Sequence, residues 1–188
     1  MCDIIYSMNT KPKILYHGSG IEITDGFIRM NPGYLTRTAE DITAVFALSD
    51  FVHAKLYAIM RLVAGEGKMS PCERDAVYIQ RINQEIPKRA YVYELDSDGF
   101  QQDMGGSYYC LTDKKIKNVV EIDVIQEIKN GNLKVYVLKD EFNKPVFSRA
   151  EWGKLVKDKS KFELYKPDSK KLEMQILAKT LENGSKAL

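Results

Sequence analysis

The feature that most constrains the fold of this chain is a series of short runs of β-branched and aromatic residues. Turn signals separate most of these runs, and a helical pattern separates only a few of them. Residues 13–17, 44–48 and 90–95 are such runs, and each ends at a glycine-containing or serine–aspartate segment. Runs of this length and composition favour β-strands. Because strands and helices follow one another irregularly, without repeated strand–helix–strand units, we predict an α+β fold.

The predicted helices differ in their start and stop signals. Ser49-Asp50 is suited to cap a helix that begins at Phe51, carries apolar residues at helical spacing and stops at Gly65. Pro71 favours the first turn of a second helix over residues 72–85. Two further helices are predicted over residues 149–157 and 169–181, the second from its spacing of leucine and isoleucine.

Two more extended runs follow the middle of the chain, residues 116–128 and 134–138. They flank Asn130-Gly131-Asn132, a strong reverse-turn signal. We therefore predict that the two runs form a β-hairpin.

Length and composition predict one domain over residues 1–188. The 188 residues are 44% hydrophobic and 29% charged, which is enough apolar material for a core without disulfides or a structural metal. We predict a core over about 13–138 and a basic, partly helical extension over 139–188. The extension has 12 basic and 8 acidic residues, a net charge of +4.

The sequence gives little support for a metal site, a membrane-spanning segment or a secretory signal. Cys2, Cys72 and Cys110 have no short paired spacing, and only His17 and His53 could join them, so no metal site is expected. No apolar run approaches a membrane span, and the first residues lack the plan of a secretory signal. We therefore expect reduced thiols and a cytoplasmic location.

The segment with the clearest chemical potential is His17-Gly18-Ser19, at the end of the first predicted strand. An imidazole, a backbone without a side chain and a hydroxyl lie within one short turn there. Together they could hold a ligand that carries a hydroxyl and an amide. Taken alone, so short a motif more often marks a buried histidine beside an ordinary turn.

The context of this motif resembles the ADP-ribosyltransferase superfamily, in particular the branch that includes the poly(ADP-ribose) polymerases. Leu15-Tyr16-His17-Gly18-Ser19 is similar to the family's NAD-binding strand, and Val45-Phe46-Ala47 to its Tyr-Phe-Ala strand. A helix with Ala54 and Tyr57 follows, and then Gly106-Ser107-Tyr108-Tyr109-Cys110 with Lys115-Ile116, which is similar to the family's late strand. The order of these pieces agrees over roughly residues 13 to 125.

This resemblance implies split antiparallel sheets with helices packed alongside, and NAD as the substrate. It implies that His17 hydrogen-bonds a ribose hydroxyl, that Gly18 holds the nicotinamide amide through its backbone and that Tyr57 stacks on the nicotinamide ring. Ser19, Phe46 and Ser107 are the remaining expected contacts with the ligand.

Two positions depart from the family pattern: Val45 stands in place of the first tyrosine, and Ser107 in place of the catalytic glutamate. A carboxylate stabilises the positive charge that glycosidic cleavage builds on the ribose, whereas a serine can bond but not neutralise it. If the alignment is shifted, Glu94, Glu121 or Glu127 could supply the carboxylate. Glu121 is the catalytic candidate alongside His17, although an exposed strand residue is its ordinary interpretation.

Three functions follow in order. The first is an NAD-binding protein, similar to the ADP-ribosyltransferases, with mono-ADP-ribosyl transfer as its reaction. The second is an inactive module on the same scaffold that binds NAD, ADP-ribose or a partner. An RNA 2′-phosphotransferase is third, because its second histidine and arginine set is not found.

The lysine-rich residues 154–171 could bind nucleic acid, but interleaved acidic residues favour a solvated face. The acceptor of any transfer is open.

Overall fold

The computed structural model describes residues 11–35, 37–65, 67–73, 75–83, 86–104 and 106–166. Within these residues the chain is a mixed α+β structure, and most of its strand pairs are antiparallel. The predicted α+β class is confirmed. The strands are β1 Ile14–Ser19, β2 Phe27–Ile28, β3 Asn31–Leu35, β4 Glu40–Leu48, β5 Met69–Glu73, β6 Ala76–Ile79, β7 Arg89–Asp96, β8 Gln101–Gln102, β9 Ser107–Cys110, β10 Lys114–Asp123, β11 Lys134–Leu138 and β12 Phe162–Leu164. The helices are α1 Phe51–Val63, α2 Val124–Lys129 and α3 Arg149–Leu155.

The described strands form two sheets. The large sheet has the order β2-β10-β7-β1-β4-β9-β8, and β3 pairs with β4 beside this path. The small sheet has the order β12-β11-β6-β5. Its central pair, β11 with β6, is parallel, and the other pairs are antiparallel.

Helices α1 and α2 lie between the two sheets, around what we call the inner core. Ala54, Ile59 and Val63 of α1 pack there with Val92 of the large sheet and Val77 of the small sheet. All of these side chains are fully buried. Alternation along a strand explains the placement, because Val77 faces α1 while its neighbour Tyr78 faces away from it.

The outer faces of the sheets are covered differently. The small sheet carries an aromatic cluster in which Tyr78 stacks on Tyr136 at 5.0 Å, and α3 adds Trp152, whose indole N–H donates to Ser70 Oγ at 2.9 Å. The large sheet carries an outer core that includes Leu15, Tyr91 and Tyr93. Residues of the segment between β1 and β3, such as Ile28, pack against it.

The predicted helix over 72–85 is wrong. Its described part contains the end of β5 and all of β6, and Ala76 to Ile79 are buried on both faces of the small sheet. A strand that is covered on both faces requires a continuous apolar run of this kind. The apolar residues at a spacing of three that suggested a helix include Ala76 and Ile79, which are the first and last residues of β6. Pro71 is compatible with β5 because that strand lies at the sheet edge, where a backbone donor is dispensable.

The predicted hairpin around Asn130-Gly131 is also wrong. Residues 124–129 form α2, capped by Asp123, whose side chain accepts from Gln126 N–H. β10 then belongs to the large sheet and β11 to the small one. Gly131 does adopt a positive φ of 73°, but the turn ends a helix rather than joining two paired strands.

The remaining helix predictions have different outcomes. The helix after Asp50 is confirmed as α1, and the Asp50 side chain accepts from Val52 N–H. The helix over 149–157 is confirmed as α3, which begins with a capping box of Ser148 and Glu151. β12, inside the predicted extension, pairs with β11. The helix predicted over 169–181 lies outside the described residues.

Candidate functional site

Strand β1 has one closely paired edge and one open edge. With β7 it pairs from Ile14 opposite Asp96 through to Ser19 opposite Tyr91. With β4 its register contains only Tyr16 opposite Leu48. We call the gap beyond Tyr16 the β1–β4 split, and it lies in the middle of the large sheet.

The backbone of Gly18 points into this split. Ser97 N–H donates to Lys13 C=O at 3.1 Å, and backbone groups of an antiparallel strand alternate between its two neighbours. The odd-numbered residues of β1 therefore face β7, whereas Tyr16 and Gly18 face β4. Continued pairing would place Gly18 opposite Phe46, but no ladder pair joins these two residues.

The His17 side chain takes the carbonyl that the missing pair would have used. His17 Nδ1 lies 2.7 Å from the Phe46 carbonyl oxygen. A carbonyl only accepts, so Nδ1 carries the proton and Nε2 of the neutral ring is an acceptor. Burial is the largest cause that lowers the pKa of His17 below its usual value of 6.5; the Phe46 bond opposes this, and the Arg61 charge adds to it. The ring is held neutral at the edge of the split.

Helix α1 lies directly on Gly18. A Cβ at this position would meet Ala54 O at 2.0 Å and Ala58 N at 3.0 Å. Only glycine permits this approach, so its residue type has a packing cause that is independent of any ligand. The resemblance to the NAD-binding motif and the demands of packing therefore coincide at this residue.

Tyr57 lies on the flank of α1 that faces β4. On the other flank, Lys55 Nζ hydrogen-bonds Glu127 of α2, which packs at the β10 side of the sheet. Two residues along a helix differ by about 200° in direction, so Tyr57 points away from α2 and toward the split. Its side chain is 41% exposed, and desolvation raises the pKa of its hydroxyl. The tyrosine therefore borders the split with its ring accessible.

Phe46 borders the split from β4. Its side chain is half-buried. The ring occupies the space above Gly33 of β3, where a Cβ would lie 2.2 Å from Phe46 Cε2. Strand alternation gives Phe46 the same face as Gly18 and α1. The predicted contact residues Gly18, Phe46 and Tyr57 are thus brought together around one opening.

The two predicted serines have different surroundings. The Ser19 hydroxyl donates to Ile21 O at 2.8 Å and accepts from Ile21 N–H at 3.1 Å, so it closes the turn after β1. Ser107 lies opposite Leu48, two strands from β1 and therefore about 10 Å away. Alternation gives Ser107 the face covered by α1 and His17 the opposite one. Ser107 is not brought to the imidazole.

Glu121 lies on the same face of the large sheet as His17. It is opposite Tyr91, which is in turn opposite Ser19. Glu121 Oε1 is 3.0 Å from Arg89 Nε, and both side chains are more than half exposed. The predicted catalytic carboxylate therefore stands two strands from β1, in a surface ion pair.

The other carboxylates considered from the sequence lie elsewhere. Glu94 is opposite Tyr16, on the face away from the His17 side chain, and Glu127 bonds Lys55. A carboxylate that the sequence interpretation missed is Glu22, which accepts from Tyr91 Oη at 3.4 Å. Its signal was its position three residues after Ser19, where a loop can fold back over the strand it has just left.

A concave feature lies on the β3–β4 hairpin. It is an open hollow of about 600 Å³ lined by Pro32, Gly33, Tyr34, Asp41, Ile42 and Thr43. Gly33 joins it to the β1–β4 split through the Phe46 ring. The hollow does not include the imidazole of His17. We therefore centre the site on the split.

Cys110 is buried in the outer core, with its Sγ 3.4 Å from Thr112 Oγ1. Among the described residues, no group of three histidine, cysteine or acidic side chains is placed to hold a metal ion. Within the same part of the chain, no helix has the length and hydropathy to cross a membrane.

Comparison with known proteins adds no relative: no family model, curated protein or solved structure matches this chain. The likeness to the ADP-ribosyltransferases therefore rests on the residues quoted from the sequence.

Proposed function

We propose that this protein binds NAD, or another ligand that carries ADP-ribose, in the β1–β4 split. The observation that carries the proposal is the Gly18 backbone, whose N–H and C=O point into the split where no ladder pair uses them. A carboxamide offers one acceptor and two donors, so it complements such a backbone pair. Nicotinamide carries this group on a flat ring.

The side chains around Gly18 suit the rest of that ligand. The accessible ring of Tyr57 offers a stacking surface, which suits the cationic nicotinamide of NAD. Neutral His17 offers Nε2 to a ribose hydroxyl, because Nδ1 is already committed to Phe46. The imidazole would act as an acceptor that also positions the sugar.

Binding without efficient transfer is the form of this function that the described side chains favour. Cleavage of the nicotinamide–ribose bond needs a negative group near the developing charge, and the position that resembles the family glutamate holds Ser107. Mono-ADP-ribosyl transfer is the second candidate. It is favoured by Glu121, which shares the sheet face of His17, and by Glu22, which bonds a tyrosine on that face.

Thermal unfolding with and without ligand tests binding. NAD at millimolar concentration should raise the Tm of the wild type, because a ligand stabilises the state that binds it. His17→Ala and Tyr57→Ala should lose most of this shift. Phe142→Ala is the matched control, because it removes an exposed ring elsewhere and should keep the shift. A wild type that shows no shift with NAD, ADP-ribose or nicotinamide would refute the proposal.

Labelled NAD separates binding from transfer. Saturable binding without release of nicotinamide supports the binding module. Label on protein or nucleic acid, lost in Glu121→Gln or Glu22→Gln but kept in a control such as Glu163→Gln, supports the transferase.

A further inference from the structure

One flank of α1 carries a line of polar side chains past the split. His53, Tyr57 and Arg61 are four residues apart, so their side chains follow one another on the same side of the helix. Tyr57 faces the β4 side of the sheet, as argued from the opposite placement of Lys55. Arg61 therefore lies one turn further along the same border of the split.

Arg61 has no acidic partner among residues 11–35, 37–65, 67–73, 75–83, 86–104 and 106–166, as is also true of Lys68 and Arg81, whereas several other basic residues are paired. Lys55 pairs with Glu127, Arg89 with Glu121 and Lys134 with Asp75. Arg61 is exposed, and its charge acts on the His17 imidazole. An available guanidinium thus stands within electrostatic reach of the histidine at the split.

The two ends of the polar line differ in charge. At the N-terminal end, His53 Nδ1 is 3.3 Å from a carboxylate oxygen of Asp50, which would repel an anion. At the other end, Arg61 would attract one. The four-residue step from Tyr57 to Arg61 is about 6 Å along the helix axis, a distance that one ribose can span.

We propose that Arg61 binds the 5′-phosphate next to the nicotinamide ribose, so that the site selects nucleotides over nucleosides. The inference rests on the proposed function: the ring stacks on Tyr57, the ribose lies in the split beside the His17 imidazole, which reaches the Phe46 carbonyl there, and the phosphate reaches Arg61. The planar guanidinium suits this role because it can donate two parallel hydrogen bonds to phosphate oxygens.

Arg61 also has an ordinary structural interpretation. It lies in the last turn of α1, where a positive charge is favourable beside the negative end of the helix dipole. That role would affect stability but would not distinguish a phosphorylated ligand from an unphosphorylated one. The experiment must therefore compare ligands that differ in the phosphate alone.

Calorimetric titration of the full chain with nicotinamide riboside and nicotinamide mononucleotide isolates the phosphate. In the wild type the mononucleotide should bind more tightly than the riboside. Arg61→Gln should weaken mononucleotide and NAD binding about tenfold, the loss expected of one charge-assisted contact, and leave riboside binding unchanged. The affinity of Arg61→Lys for the mononucleotide should lie between those of the wild type and Arg61→Gln. Arg81→Gln, which removes an exposed arginine at the end of β6, should match the wild type.

The outcomes separate the two proposals. If the wild type binds neither riboside nor mononucleotide, the proposed function is wrong and this inference falls with it. If it binds both but Arg61→Gln keeps the full preference for the mononucleotide, the Arg61 assignment alone is wrong. If Arg61→Gln does not fold, two results together would overturn the assignment. Arg61→Lys would keep the full wild-type preference for the mononucleotide over the riboside, and the affinity of the wild type for the mononucleotide would not depend on salt. A contact between charges is screened by salt, so its contribution to affinity must fall as the salt concentration rises.

Discussion

The two edges of β1 use the same backbone in opposite ways. Along β7 the pairing continues from Ile14 to Ser19, whereas along β4 it ends after Tyr16. The closed edge joins β1 to a strand whose side chains lie in both the inner and the outer core. The open edge leaves the backbone of Gly18 facing a gap. One strand can therefore be part of the scaffold on one side and part of a binding site on the other.

The cause of the difference lies in two residues. His17 gives a side-chain donor to the Phe46 carbonyl, so this carbonyl is satisfied without a backbone partner on β1. Gly18 lets α1 rest on the strand, which fixes the helix flank beside the gap. The imidazole thus satisfies one of the two carbonyl groups that the missing pair would have joined, and it replaces that part of the ladder.

The largest effect on the comparison should come from Gly18→Ala. The added Cβ would lie 2.0 Å from Ala54 O, a backbone atom that cannot rotate away. We expect the free energy of unfolding to fall by about 3 kcal/mol, since α1 must shift from the sheet. Urea denaturation followed by circular dichroism measures this. Gly153→Ala is the control: no atom lies within 4 Å of its Cβ, and in α3 it should stabilise by about 0.5–1 kcal/mol. Equal effects of the two substitutions would contradict the close approach.

Much of the open edge could be anticipated from local sequence. The strand that ends at His17-Gly18-Ser19, the cap at Asp50 and the apolar face of α1 all follow from local rules, and the structure has them. These features depend on neighbouring residues along the chain. Local propensity therefore suffices to predict them.

The long-range pairings could not be read in the same way. Ala76 to Ile79 form a strand only because α1 covers one face and an aromatic cluster the other. Residues 124–128 belong to the predicted extended run because their isoleucines and valine suit either structure, and packing against the inner core decides for the helix. The position of Glu22 could not be predicted, because its bond to Tyr91 joins residues 69 positions apart. Strand register and tertiary burial decide such features, and both depend on residues that are far apart along the chain.

A smaller effect should follow from His17→Gln, visible as a change in pH dependence. Because burial lowers the pKa of His17 in the folded chain, the unfolded chain binds more protons between the folded pKa and the usual value of 6.5. Stability should therefore fall as the pH drops through this window, by at most about 1.4 kcal/mol per pH unit, and level off below it. The glutamine keeps a donor for Phe46 but does not titrate, so this slope should disappear.

Urea midpoints between neutral and mildly acidic pH measure the slope. The chain has two histidines, so His53→Gln is the control for the loss of an imidazole as such. Identical slopes in the wild type and in His17→Gln would mean that folding does not hold this imidazole neutral, and the open edge would lose its proposed acceptor.

The smallest effect should come from Glu121→Gln. Glu121 is opposite Tyr91 of β7, which is in turn opposite Ser19 on the closed edge of β1. Glu121 and Arg89 are 3.0 Å apart, but their side chains are 52% and 60% exposed, so water screens the pair. We expect the free energy of unfolding to change by less than about 0.5 kcal/mol, measured by the same urea titration. A loss above about 2 kcal/mol would show that charge, rather than the ladder and the buried residues of β7, holds the closed edge together. Because the variant should keep its stability, any change it makes in nicotinamide release can be assigned to the carboxylate and not to unfolding.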